Sequence, residues 1–123
     1  MKPTRNEDLP VFVRWMEFLK WLLPATEKFP RRVRFTFANR IDGLALDVVE
    51  DLVEARYSRD KREILKRANL RLEKIRVLLR ICHEEKFLSH EAFELAIKGV
   101  DETGRMLGGW MKQQVHNKTG EPG

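Results

Sequence analysis

The chain has 123 residues, 42% hydrophobic and 35% charged, with 24 basic residues, 19 acidic ones and a formal net charge of +5. This length suits one domain with one real core, and the high charged share is typical of long helices with solvated faces. The single cysteine, Cys82, excludes an internal disulfide and fits a reducing, cytoplasmic setting. The opening MKPTRNEDLP lacks the apolar stretch of a signal peptide, and charges interrupt every apolar run that could span a membrane.

Residues 1–8 are polar and expected to fray, with Asp8 offered as an N-cap. A first helix is expected from about Leu9 to Phe29, with Phe12, Trp15, Met16, Leu19, Leu22 and Leu23 on one face. Pro24 should kink it, because its ring displaces the bond to the carbonyl of Lys20. Trp21 falls almost opposite the core line, as on a partner surface.

A second, long helix is expected from Pro30 to Tyr57, with proline in its first turn. Phe37, Ile41, Leu44, Ala45, Val48, Leu52 and Ala55 paint one apolar face. Phe35, Leu46, Val49, Val53 and Tyr57 form a second strip. Its charges oppose the helix dipole: Arg31, Arg32 and Arg34 crowd the positive end, and Asp47, Glu50, Asp51 and Glu54 lie toward the negative one. Each such placement costs about a few tenths of a kcal/mol.

The short link Ser58-Arg59-Asp60 turns the chain back into an antiparallel third helix, about Lys61 to Glu85. Its core stripe is Leu65, Ala68, Leu72, Ile75, Leu79 and Cys82, while Leu70, Val77 and Ile81 fall on another side. Ser89 opens a fourth helix as N-cap. There Phe93, Ala96, Ile97, Val100, Gly104, Leu107 and Met111 face the core, and Ala92, Leu95, Gly99, Met106 and Trp110 approximate a heptad seam. Gly104, Gly108 and Gly109 each cost about 1 kcal/mol against alanine inside a helix, a cost tolerable where a neighbouring helix approaches closely. The tail from Val115 to Gly123 shows no periodicity and is expected to be disordered.

Together these elements specify an all-α, up-down-up-down four-helix bundle over residues 9–114. The surplus apolar strips read as a homo-oligomer interface built from Phe35, Leu46, Val49, Val53, Leu70, Val77, Leu95, Met106 and Trp110. The alternative is a thick core in which those strips touch helices of the same chain.

Catalytic patterns are missing. His83-Glu84-Glu85-Lys86-Phe87 starts like a zinc-protease helix but ends in Phe87 where the second histidine belongs. None of the three histidines has a glutamate three residues before it, as di-iron bundles require. The glycines follow no strand, so no phosphate loop forms. We therefore expect no enzyme activity, cofactor, metal or small-molecule substrate.

The basic residues carry more information. Lys28, Arg31, Arg32, Arg34 and Arg40 occur with no acid between positions 28 and 40, and arginine's planar fork suits phosphate oxygens. From Arg59 to Arg80 nine bases stand against three acids. Some of these should neutralise the acidic run Asp42 to Glu54, which accounts for Arg59, Lys61, Arg62 and Lys66. In the antiparallel pair, Arg76 and Arg80 should then converge with Arg31, Arg32 and Arg34, leaving Arg31, Arg32, Arg34, Arg40, Arg76 and Arg80 as a nucleic-acid surface. The alternative is a purely structural adaptor whose basic face docks protein.

FPRRVRFTFANRIDGLALDVVEDLVEARYS, RANLRLEKIRVLLRI and above all DETGRMLGGWMKQQ resemble the accessory variability determinants (Avd) of diversity-generating retroelements. The similarity covers Leu9 to Gln114, and Gly104-Arg105-Met106-Leu107-Gly108-Gly109-Trp110 is its most specific run. The resemblance implies a non-catalytic four-helix bundle that assembles as a ring-like homopentamer and binds RNA and DNA. It also implies association with the retroelement's reverse transcriptase, in support of mutagenic cDNA synthesis. Pro24 and the modest net charge depart from that pattern. The four-helix-bundle proteins encoded within ribosomal-RNA intervening sequences are the runner-up resemblance.

Overall fold

The computed structural model describes residues 9–120, with side chains as far as Gln114. Four helices form: α1 (Pro10–Glu27), α2 (Asn39–Tyr57), α3 (Arg62–Glu84) and α4 (His90–Gly120), and no strand occurs among the described residues. Each helix packs against two neighbours in the cyclic order α1, α2, α3, α4, as expected of an up-down-up-down bundle. The fraying expected at residues 1–8 and the disorder expected at 121–123 lie outside the described residues, while the N-cap position of α1, expected at Asp8, falls at Leu9, which makes no side-chain capping hydrogen bond. The helical backbone of α4 runs to Gly120.

Helix α1 starts with proline in its first turn, where a missing N–H costs nothing. It continues through Pro24 but stops three residues later at Glu27, short of the expected Phe29. Lys28 and Phe29 then donate backbone N–H groups to Ala25 and Thr26, and Phe29 turns inward to near-complete burial. Trp15 is fully buried and its indole Nε1–H donates to the Ala45 carbonyl at 2.9 Å, tying α1 to α2. Leu23, expected in the core, is exposed, whereas Trp21 is half-buried with its ring 6.0 Å from Phe18. The cause is lateral packing: α4 covers the side of α1 that carries Phe18 and Trp21.

The long second helix is divided. A 3-10 turn (Arg31–Val33) and a π-helical turn (Arg34–Ala38) precede α2, and Pro30 stands outside both as the capping residue. Asn39 donates to the carbonyl of Arg34, the five-residue step that defines the wider turn. The dipole argument weakens accordingly, because that effect fades within one turn and Arg31 and Arg32 precede α2 by more than that.

Asp51 on α2 is buried, at 3% exposure, yet fully engaged. Arg67 Nε donates to its Oδ1 at 3.0 Å and Arg71 Nη1 to its Oδ2 at 2.5 Å; Arg67 also reaches Glu54, and Arg71 lies 3.7 Å from Asp47. The acidic run is thus neutralised from the middle of α3. Arg62 and Lys66, expected in that role, pair instead with Asp60 and Glu63 beside them, and Lys66 points to a different side of α3 from Arg67.

Helix α3 ends in a Schellman motif: Lys86 N–H bonds the His83 carbonyl, Phe87 N–H bonds that of Cys82, and Lys86 takes φ 66°. Ser89 caps α4 as expected, its Oγ accepting from Ala92 N–H at 3.1 Å. Cys82 is fully buried in the core, and desolvation pushes its thiol up to about 11.

The close approach expected at Gly104, Gly108 and Gly109 occurs instead at Gly99, where an added Cβ would lie 2.4 Å from the Phe18 ring. Gly104 would meet only ordinary contacts, and Gly108 and Gly109 nothing within 4 Å among the described residues. Gly99→Ala should therefore destabilise the fold: overpacking costs about 1–3 kcal/mol and outweighs the roughly 1 kcal/mol of helix propensity gained. Gly108→Ala should stabilise it by up to about 1 kcal/mol, the opposite sign, in paired urea melts. Replacing Arg67 and Arg71 together with alanine should cost about 3 kcal/mol in the same assay, by stranding buried Asp51; a loss below about 1 kcal/mol would refute that role.

Candidate nucleic-acid interface

One end of the bundle gathers the basic 3-10 and π turns beside the α3–α4 connection. The left-handed Lys86 turns Phe87 onto Phe37 and Phe29, with ring centroids 5.9 and 6.5 Å away. The Arg32 guanidinium lies over the Phe87 ring, 5.2 Å from its centroid, a contact worth about 0.5–1 kcal/mol where water still has access. Arg34 Nε donates to the Phe29 carbonyl at 3.1 Å. Arg31, Arg40 and Arg80 are exposed and form no ion pair among the described residues.

Arg76 is placed differently from the sequence expectation. Its Nε donates to Asp101 of α4 at 2.8 Å and its Nη1 donates to Glu73; it is half-buried and neutralised. Arg80, four residues on, follows it along the α4 flank of α3. Neither is on the α2 flank, so the convergence expected with Arg31, Arg32 and Arg34 across the α2–α3 pair is replaced by a surface of different composition.

That surface is a groove between α2 and α3. Asp51 opposite Arg67 and Asp47 opposite Arg71 set an antiparallel register that brings residue 44 opposite 74 and 40 opposite 78. Arg40, Leu44, Glu73, Lys74, Val77 and Leu78 line it, Glu73 being bonded to Arg76, and Arg40 and Leu78 also line an adjoining depression with Phe35, Thr36 and Phe37. Lys74 had no distinguishing signal in the sequence; only the register brings it opposite Leu44, into the groove that Arg40 also lines. Two cations above an apolar floor can hold an anionic chain whose other parts are apolar.

The residues expected at an oligomer interface separate into several places. Leu46 lies one turn from Asp42, which accepts a hydrogen bond from the Thr26 hydroxyl at 2.8 Å, so Leu46, Val49 and Val53 follow the α1 flank of α2. Leu95 and Met106 are exposed on α4, and Met106 and Trp110 line a depression with Leu9, Pro10 and Val11. Leu70 and Val77 are exposed on α3. Val49, Val53 and Trp110 are half-buried, and Val49 and Trp110 pack on the core of this same chain. Val13 is an exposed apolar residue with no place in the expected strips.

Burial of Asp42 pushes its carboxyl above the ordinary value, against the opposing Thr26 hydrogen bond. Among the described residues no group of three or more histidines, cysteines or carboxylates is placed to hold a metal ion, and no helix is long and apolar enough to cross a membrane.

No curated protein matches the sequence. The profile of the family described as bAvd-like matches residues 11–114, a span that takes in the 3-10 and π turns, the α2–α3 groove and the Gly104–Trp110 run. The chain belongs to the bAvd-like family.

Proposed function

We propose that the protein is a non-catalytic accessory subunit of a diversity-generating retroelement. In this reading it binds template RNA and cDNA through its basic end and docks the element's reverse transcriptase, supporting mutagenic cDNA synthesis. Family membership supplies the context, and one observation carries the nucleic-acid part: Arg31, Arg34 and Arg40 stand exposed in a segment that holds no acid between positions 28 and 40. Phosphate contacts of this kind position a strand without reading its sequence.

Assembly into a ring, with five copies as the Avd resemblance implies, belongs to the same reading. A ring needs two different complementary patches on each subunit. Exposed apolar residues on the α1 flanks (Leu46, Leu95) and on α3 (Leu70), diagonally across the bundle, support that requirement. A ring would also bring several basic ends to one strand and raise avidity.

The binding reading is tested by titrating a fluorescent RNA against salt. Affinity should fall with a log–log slope of about −0.7 to −0.9 per phosphate contact. Charge reversal at Arg31 and Arg34 should weaken unrelated sequences alike and flatten the slope by about two contacts' worth. An unaltered slope and affinity would sink this assignment. Assembly is tested by native mass spectrometry: Leu46→Glu and Leu95→Glu should dissociate the wild-type oligomer while helical circular dichroism persists. A wild-type monomer at micromolar concentration would refute the ring.

A further inference from the structure

Phe35 is 87% exposed, the most exposed large apolar side chain of the described residues. Leaving a phenylalanine in water forgoes about 1.5–3 kcal/mol relative to burying it. Had α2 continued unbroken to Pro30, Phe35 would have fallen in line with Leu46, Val49 and Val53 on the α1 flank. The π turn changes the phase, because one extra residue enters the turn before Asn39. Phe35 consequently lies beside Arg40 and Leu78 at the end of the α2–α3 groove, apart from the strip it seemed to join. Turns of this type occur frequently at functional sites.

The surroundings decide what fits. Arg34 precedes Phe35 in the chain, Arg40 shares its depression, and Lys74 lies further along the groove. Glu73 is the acid on that lining, and it is already bonded to Arg76. An apolar protein partner would have to desolvate Arg40 and Lys74 without compensation, at a cost of several kcal/mol per buried charge. A polyanion with flat apolar faces compensates them with phosphates while a base covers the ring.

We propose that Phe35 is a stacking platform for an unpaired base, with Arg40 and Lys74 holding successive phosphates on one side of it along the groove, so that this surface prefers single-stranded nucleic acid to duplex. Duplex bases are already stacked on one another and present only edges and backbone to a side chain. The inference rests on the nucleic-acid reading above and adds the strand class and the residue that selects it.

The test uses the full chain, a fluorescein-labelled single-stranded RNA of mixed sequence, and the same strand annealed to its complement. Fluorescence anisotropy measures both for wild type, Phe35→Ala, Phe35→Trp and the Arg31/Arg34 charge reversal, and native mass spectrometry follows each variant's assembly. Phe35→Ala should weaken the single strand by about 5- to 150-fold and leave duplex binding unchanged, while Phe35→Trp should retain the wild-type preference. The arginine variant should weaken both probes together. If the arginine variant weakens both and Phe35→Ala weakens neither, the nucleic-acid reading stands and the stacking platform is overturned. Equal loss of single strand and duplex in Phe35→Ala overturns it as well. Dissociation of the oligomer by Phe35→Ala with unchanged strand preference would make the ring a contact between copies instead. Failure of wild type to bind either probe removes both readings.

Discussion

The buried carboxylate of Asp51 constrains the molecule more than any other single group. A charge this deep persists only when paired and fully hydrogen-bonded, and here Arg67 and Arg71 divide its two oxygens between them. Sliding α3 by one turn against α2 would leave Asp51 only one of its two arginines and half of its hydrogen bonds. The α2–α3 register is therefore fixed electrostatically, whereas interlocking leucines alone leave room for neighbouring registers. Everything further along the pair inherits that register, including the meeting of Arg40 with Leu78 and of Leu44 with Lys74.

Charge is thus divided by purpose. The centre of α3 spends Arg67 and Arg71 on the acidic stretch of α2, and Arg76 on Asp101 of α4. At the α2 entry, where the chain is in 3-10 and π turns, Arg31, Arg32, Arg34 and Arg40 form no ion pair among the described residues. Those turns hold Arg31 and Arg34 beyond the carboxylates of α2, whose nearest member is Asp42. Arg32 and Arg34 are restrained by the Phe87 ring and the Phe29 carbonyl, which reduces the side-chain entropy that binding must overcome. A modest net charge is compatible with a strongly basic surface when the acids are spent elsewhere.

The same separation applies to apolar surface. One stripe on each helix is consumed by the core around Trp15, Ile41, Leu72 and Leu107. The remainder lies on flanks that face different directions. The glycines of α4 differ in the same way: Gly99 makes room for the Phe18 ring, while Gly108 and Gly109 face open space in the isolated chain.

The sequence by itself determined the helix count, the three core stripes of α2, α3 and α4, the Ser89 cap, the basic segment and the family motifs. All are local or periodic features, and a period of 3.6 residues is readable without knowing any neighbour. The tertiary structure decided the rest. It alone showed that the helix expected from Pro30 breaks into 3-10 and π turns, because the hydrophobic pattern barely changes where one residue is added. That single residue moves Phe35 from one flank of the bundle to another. It also decided which arginines are paired, since an ion pair depends on register and azimuth: Arg76 and Arg80 share a sequence neighbourhood, yet Asp101 neutralises only the first. Lys74 was indistinguishable from any solvated lysine until the register set by Asp51 placed it opposite Leu44, in the groove that Arg40 also lines.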